Sequence, residues 1–390
     1  MEQTTCEVIH NILYLNRVSE IGGAEISLLL LLERLDKALF NPIVVLPCPG
    51  PLVDRLTRLG IETVLMPLNT LRRRNPWPYI RTVYQLVRLI KSREIDLVHI
   101  NIEFSYQYGA VAARLAGVPC VGHIRNLWNK WNLWERLLSN PNVLIANSRA
   151  VAQNFQVHAW RQQRIEVIYN GVDLEVFDPA SVDGWRLRER LNILPKTFLI
   201  GVVGRIAPEK GQHVFLESLA MIVPAHPETH ALIVGDARIA RVDGCEWYWE
   251  YLHERVTTLG LEERVTFTGF LEEVVHAYAA LDVIVLPSVA EPFGRTLIEA
   301  MAMAKPVIAT RAGGTVEVVE DGVTGLLVSS GDAEELASVI SQFANDKSMA
   351  MRMGEKGRER VKRLFDIREN VRKIEEIYKS MWKYPNVTSD

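Results

Sequence analysis

The chain has 390 residues and a formal net charge of −3, from 44 basic and 47 acidic side chains. With 48% hydrophobic and 23% charged residues it has an ordinary globular composition, which excludes collagen, coiled-coil and disordered readings. The near balance of charge gives no sign of a general nucleic-acid binder, and the length fits two to three domains of about 150 residues.

In chain order, short β-branched runs alternate with stretches of helical spacing. Strands are predicted at residues 9–15, 43–46, 63–66, 97–100, 120–123 and 143–146, with helical patterns over 23–39, 51–59, 78–93 and 105–116. The rhythm resumes at 199–203, 231–234, 265–268, 283–286, 306–310 and 325–328. Such alternation means parallel sheets covered by helices on both faces. One open sheet rarely spans this length, so two doubly wound, Rossmann-like α/β domains are expected, with ligands in a cleft at the carboxyl ends of their strands. Their boundaries are 1–180 and 181–365, with a polar Pro/Gly seam at 178–184. A final helical segment, 366–390, is expected to pack back on the N-terminal domain. Residues 1–180 hold 19 basic and 16 acidic side chains, leaving 25 and 31, so the first domain is the more basic.

The four cysteines (Cys6, Cys48, Cys120, Cys245) form no CxxC pair, which points to a reducing compartment and away from zinc. The longest aliphatic stretch, residues 26–32, is interrupted by Ser27 and falls far short of the roughly 20 residues needed to cross a bilayer. No basic stretch precedes an apolar core at the N-terminus. A cytoplasmic protein is expected, with peripheral contact on the inner face of the plasma membrane left open.

The most informative stretch runs from Pro287 to Ala300 and contains Glu291-Pro292-Phe293-Gly294-Arg295 and Glu299. A strand ends at Pro287, a loop carries Glu291, and a helix starts near Gly294 and Arg295. Open amides at a helix start suit a diphosphate. One carboxylate lies before that start and the other one to two turns inside it, so they can reach hydroxyls beyond opposite ends of a nucleotide diphosphate.

This pattern resembles the signature of retaining glycosyltransferases of family 4, which have the GT-B fold. Other matches follow in register: Gly22-Gly23-Ala24-Glu25, Asn147-Ser148 after the fifth strand, Asn170-Gly171-Val172-Asp173, and Gly204-Arg205 through Lys210-Gly211. Val234-Gly235-Asp236, Phe267 to Phe270 and Ala312 to Thr315 complete the set. Taken alone, each also fits a plain turn, a solvated loop or a satisfied core residue. Arg205 and Lys210 are cations just past a strand, where they can neutralise two phosphates and stabilise a departing nucleotide. Gly22 and Gly23 let backbone approach a phosphate or sugar.

The resemblance implies that Gly22 and Gly23 face the donor diphosphate and the acceptor. It places His123, at a strand end, beside the transferred sugar, although His-Ile-Arg here stands where many relatives have an acidic residue soon after the histidine. Gly269, Phe270 and Leu271 resemble the loop that holds the nucleobase through backbone groups. Glu291 would hold sugar hydroxyls and Glu299 the ribose. Phe293, Gly294 and Arg295 would offer amides, with Thr296 and Leu297 in the first turn. Glu25 has no assigned role beyond favouring the helix start. The implied reaction is same-face hexose transfer in which the leaving phosphate helps deprotonate the acceptor. UDP-glucose is the first expectation for the donor, on the frequency of UDP-sugars in the family.

Asp-x-Asp, Gly-x-Gly-x-x-Gly and Walker patterns are absent from the chain, which disfavours GT-A, nicotinamide and P-loop readings. No metal and no resident cofactor are expected. Residues 72–93 hold seven basic residues and no acidic one, and 125–136 interleave Trp128, Trp131 and Trp134 with basic side chains. These suit a membrane interface or a polyprenyl-diphosphate acceptor, and equally core, carbohydrate-stacking or solvated faces. The expected acceptor is a polysaccharide or lipid-linked glycan. A sugar-nucleotide epimerase would turn over without acceptor, a phosphorylase would need free phosphate, and a non-catalytic sugar-nucleotide-binding protein would bind without turnover.

Overall fold

Seven short strands build the first sheet, five of them largely buried and the two outermost partly exposed. In the computed structural model, which describes residues 8–72, 74–127, 140–158, 164–236 and 246–383, the chain divides into two units: Met1–Tyr169 with Ile367–Asp390, and Asn170–Asp366. The first unit runs β1 (His10–Leu15), α1 (Gly23–Arg34), β2 (Phe40–Leu46), α2 (Pro51–Arg58), β3 (Glu62–Leu65), α3 (Trp77–Ser92) and β4 (Leu97–Ile100). A 3-10 turn (Glu103–Ser105), α4 (Tyr106–Ala116), β5 (Cys120–Ile124), β6 (Val143–Ala146), α5 (Arg149–His158) and β7 (Ile165–Val167) follow. The strands lie parallel in the order β3-β2-β1-β4-β5-β6-β7.

The second unit comprises α6 (Trp185–Arg190), β8 (Phe198–Val203), a 3-10 turn (Pro208–Lys210), α7 (Gln212–Ile222), β9 (Thr229–Val234), α8 (Glu246–Thr258) and β10 (Val265–Gly269). It continues with α9 (Val275–Ala280), β11 (Val283–Leu286), α10 (Arg295–Ala302), β12 (Val307–Thr310), α11 (Thr315–Val318), β13 (Leu326–Val328), α12 (Ala333–Asn345) and α13 (Lys347–Leu364). Its parallel order is β10-β9-β8-β11-β12-β13. Both sheets are doubly wound, as the alternating pattern requires.

Alternate residues of β1 serve opposite faces of the first sheet. Leu13 and Leu15 pack with Tyr106 and Ile124, while Ile12 and Tyr14 pack with Leu28 and Leu32 of α1. The second face is closed by the last helix, α14 (Ile367–Lys383), through Ile367, Val371, Ile374, Ile377 and Tyr378. Those positions recur at helical spacing and form one apolar stripe. Trp382 at its end stacks on His10 at 3.9 Å.

Three sequence expectations shift. Asn147-Ser148 follows the sixth strand, since Cys120–Ile124 is the fifth, and His123 is its penultimate residue. β7 was not predicted, because its three residues are only partly buried and leave no apolar run. The polar stretch 178–184 lies inside the second unit: Asp178 pairs with Arg358 at 2.9 Å, and Val172 bridges to Asp366 upstream of it.

Gly211 turns the chain from the 3-10 turn into α7 with φ of +70°, and a Cβ there would lie 2.0 Å from the Pro287 carbonyl oxygen. Gly211→Ala is therefore expected to destabilise the protein by about 2–4 kcal/mol, combining left-handed strain with overpacking. A urea-denaturation midpoint unchanged from wild type would refute this.

Candidate active site

In each sheet the chain leaves two adjacent central strands in opposite directions, and the loops at that point are where ligands of α/β folds bind. In the second unit those strands are β8 and β11, so the loops 204–211 and 287–294 come together. Lys210 Nζ lies 2.7 Å from Glu291 Oε2, and Ser288 Oγ donates to the same oxygen at 3.3 Å. Glu291 is only 8% exposed. The two loops are tied directly by Val289 N donating to Glu209 O at 2.9 Å. Gly314 N donates to Glu291 O at 2.8 Å, and Thr310 Oγ1 donates to Ser288 O at 2.5 Å. The Glu291 loop is thus pinned from three elements before any ligand arrives.

Gly294, with φ of +96°, opens α10, and Glu299 stands on the fifth residue of that helix. Both oxygens of Glu299 are occupied: Oε1 accepts from Arg295 Nε at 2.8 Å, and Oε2 from the Tyr278 hydroxyl at 2.8 Å. Burial, reinforced by the negative charge of Glu299, raises Tyr278 well above the usual phenol range, so it remains a donor. Phe293 and Leu297 turn their side chains into the core, leaving only backbone for a ligand. Thr296 is half-buried. Arg205 is partly exposed and pairs with Glu209, while Gln212 Nε2 holds its carbonyl at 2.9 Å. Gly269 closes β10 and its carbonyl accepts from Gly235 N at 3.0 Å. Phe270 beyond it is 58% exposed and Leu271 half-buried.

In the first unit the corresponding strands are β1 and β4, each followed directly by an asparagine. Asn101 Nδ2 donates to Asn16 Oδ1 at 2.8 Å, and Asn16 Nδ2 to Glu25 Oε1 at 3.2 Å. The other oxygen of Glu25 accepts from Gly22 N at 3.1 Å, the reach-back of an N3 glutamate to its helix cap. Among the described residues nothing lies within 4 Å of a Cβ built on Gly23, so on their side the space above it is open.

Arg125 joins this loop to His123. Its Nε donates to Asn101 O at 3.0 Å, and its Nη2 lies 2.9 Å from both Asn101 Oδ1 and His123 Nδ1. His123 Nδ1 is also 3.0 Å from His99 Nε2, and the His123 carbonyl accepts from the Tyr106 hydroxyl at 2.5 Å. Burial, together with the Arg125 charge, pushes both imidazoles down, His99 to about 3 and His123 well below its usual value.

The expected residues therefore divide between the units, with Arg205, Lys210, Gly269 to Leu271 and Glu291 to Glu299 in the second and Gly22, Gly23 and His123 in the first. Asn16, His99, Asn101, Tyr278, Ser288 and Tyr378 were not expected. An asparagine directly after a central strand was the available signal for two of them; the tyrosines had none. Trp128, Trp131 and Trp134 lie outside the described residues. Among the described residues no group of three or more His, Cys, Asp or Glu side chains is arranged to hold a metal ion, and no helix is long and apolar enough to cross a membrane.

Residues 183–360 match the family model for glycosyl transferases group 1, and residues 21–176 that for glycosyltransferase family 4. The chain is 31% identical over 259 residues to the lipopolysaccharide core biosynthesis mannosyltransferase LpsB of Rhizobium meliloti, covering 66% of this chain and 69% of that protein. It is 26% identical over 318 residues to an Escherichia coli UDP-Gal:alpha-D-GlcNAc-diphosphoundecaprenol alpha-1,3-galactosyltransferase, covering 77% and 80%. The crystal structure of Anabaena HepE in complex with UDP and glucose aligns with a TM-score of 0.84 and 30% identity over 95% of this chain and 99% of that one. The two parallel Rossmann-like sheets and these likenesses define the class, an α/β enzyme of the GT-B fold. Within it, the chain belongs to the glycosyltransferases, its two parts matching the group 1 and family 4 models.

Proposed function

We propose that the protein transfers a hexose, with retention of configuration, from a nucleoside-diphosphate sugar to a polysaccharide or lipid-linked glycan, with UDP-glucose as donor. The observation that carries this reading is the Lys210–Glu291 pair at 2.7 Å, set beside the start of α10. The pair holds a cation for a phosphate and a carboxylate for sugar hydroxyls in one place. On donor binding, Lys210 turns to the diphosphate with Arg205, and the amides at Phe293 to Arg295 face the same charge. Glu291 accepts from sugar hydroxyls, Glu299 takes the ribose, and the backbone at Gly269 to Leu271 holds the base. The family resemblance assigns His123 to the transferred sugar and the Gly22-Gly23 loop to the diphosphate and the acceptor.

The acceptor oxygen bonds to the anomeric carbon on the face from which the diphosphate departs. The carbon–oxygen bond to phosphate breaks, and the acceptor proton passes to the departing phosphate oxygen. No protein nucleophile is needed, and Arg205, Lys210 and the helix start carry the phosphate charge without a metal. The UDP and glucose bound to HepE support the donor, and the diphosphoundecaprenol acceptor in the name of the E. coli relative supports a lipid-linked glycan.

Calorimetric titration with UDP, GDP and ADP tests this reading. UDP alone should bind, and the Arg205→Ala/Lys210→Ala double variant should weaken it by at least about 100-fold, from two lost charge-assisted contacts. Absence of binding by any of the three nucleotides would overturn it.

A membrane role belongs to the same proposal, with the enzyme working at the cytoplasmic face of a membrane. The outer face of α3 presents Trp77 (73% exposed), Ile80, Arg81, Tyr84 (61% exposed), Arg88 and Lys91 at helical spacing. Aromatic and basic side chains together match the headgroup region of an anionic bilayer. The protein is expected to float with phosphatidylglycerol vesicles at low salt, and Arg81→Glu/Arg88→Glu to leave it in the dense fraction. Wild type that stays dense at every salt concentration would sink this part of the reading.

A further inference from the structure

The hydrogen-bonding atoms around His123 can each be given a direction. Arg125 carries donors and no acceptor, so at 2.9 Å from His123 Nδ1 its Nη2 can only donate, and that nitrogen presents a lone pair. His99 Nε2, 3.0 Å from the same atom, must then carry a hydrogen, because two lone pairs facing each other repel. The remaining nitrogen of His99, Nδ1, is left as an acceptor for the Tyr378 hydroxyl. Burial raises Tyr378, like Tyr14, far above neutral pH, so both keep their hydrogens. The Tyr14 hydroxyl, 3.1 Å from that of Tyr378, donates to it and ends the chain. Tyr14, His99 and His123 share one face of the sheet because they sit in β1, β4 and β5, with Tyr14 opposite His99 in register. That is the face α14 covers, which is how Tyr378 reaches them.

We propose that His123 acts as a neutral, fixed hydrogen-bond donor through Nε2–H, that Arg125 and His99 are positioning residues that hold it in this tautomer, and that Tyr378 orients His99 behind them. The proposal rests on the reading that places His123 beside the transferred sugar. In that role the imidazole gives a hydrogen bond to a sugar oxygen. It does not serve as the base, since its one lone pair already accepts from Arg125 and His99. The acceptor proton must therefore leave by another route, and the departing phosphate oxygen supplies it.

The ionisable groups around the imidazole pair are consistent with one neutral state. Arg125 and His99 lie beside His123, Tyr106 comes from α4, and Tyr14 and Tyr378 come from β1 and α14. The nearby carboxylates are engaged elsewhere: Glu103 with the amide of Asn126 at 2.9 Å, Glu25 with Asn16 and Gly22, and Glu375 with Asp36 N at 2.8 Å. No acidic partner thus balances a second proton on either ring among the contacts described.

Long-range 1H–15N correlation spectra of the ligand-free, 15N-histidine-labelled protein test the tautomer directly, with a His123→Gln sample for assignment. Between about pH 5.5 and 8.5, around the ordinary histidine midpoint, His123 should show a protonated Nε2, an unprotonated Nδ1 and no titration. A proton on Nδ1, or a midpoint inside that range, would overturn the proposal whatever the enzyme's substrate. Tyr378→Phe, which removes one hydroxyl inside a retained core, should shift the His99 resonances, leave His123 in its tautomer and lower kcat by about two- to fivefold. Arg125→Met should release His123 into a mixture of tautomers and lower kcat by about tenfold or more, with KM for the donor within twofold. Arg125→Lys, which retains a donor, should recover part of that loss. If the tautomer is fixed in the spectra while Arg125→Met and Tyr378→Phe both keep full kcat, the donor role at the sugar is refuted and the nucleotide-binding reading is untouched.

Discussion

Glu291→Gln is expected to lower kcat/KM for sugar transfer by about 30- to 150-fold, with affinity for the free nucleotide unchanged or slightly raised. The carboxylate is nearly buried and its loop is held by Gly314, Thr310 and Glu209, so an isosteric replacement keeps the geometry. What it removes is charge. Two hydrogen bonds from sugar hydroxyls to a carboxylate, each worth about 1.5–3 kcal/mol, become neutral ones worth about 0.5–1.5 kcal/mol, a loss of about 2–3 kcal/mol in all. Lys210 loses its anionic partner at the same time and becomes freer to meet the diphosphate. The informative comparison is therefore steady-state kinetics beside nucleotide titration on one variant. A loss of nucleotide affinity equal to the loss of kcat/KM would show that Glu291 serves the diphosphate site and not the sugar.

Stability is expected to fall by about 3 kcal/mol when the pH drops from 6.5 to 5, from His99 and His123 alone. In the folded state both stay neutral, because burial and the Arg125 charge disfavour the cation. In the unfolded chain each binds a proton near pH 6.5. Below that pH the unfolded state holds more protons, so stability is fully present above it and declines as the pH falls, at up to about 1.4 kcal/mol per unit for each histidine. His213 and His230, also lowered by burial, act in the same direction. Urea denaturation at three pH values measures the slope, and His99→Gln should remove about half of the contribution from the pair. A stability that is flat or rises on acidification to pH 5 would contradict the neutral pair.

Much of the fold was legible because its signals are local. Buried parallel strands such as Val143–Ala146 and Val283–Leu286 are uninterrupted apolar runs, and both were placed to the residue. β7 was not, since its partly exposed residues carry no such run. Within the candidate site, the Glu291 to Glu299 stretch announced itself as a loop followed by a helix start. Arg205 and Lys210 could be read as cations following a strand. Tyr278, which holds Glu299, and His99, which faces His123, sit in ordinary helix and strand positions, where an aromatic ring is more often plain core.

Two doubly wound sheets, a helix start built for an anion, and the residue types for handling a nucleotide diphosphate are all legible along the chain. Each of these follows from periodicity or spacing over a few residues. That Lys210 meets Glu291 across 81 positions, and that Tyr378 reaches His99 across 279, emerges in the folded chain alone. Those meetings depend on β8 lying beside β11, and on α14 covering the face shared by Tyr14, His99 and His123. Strand order and helix docking are set by burial summed over whole sheets, which local periodicity does not record.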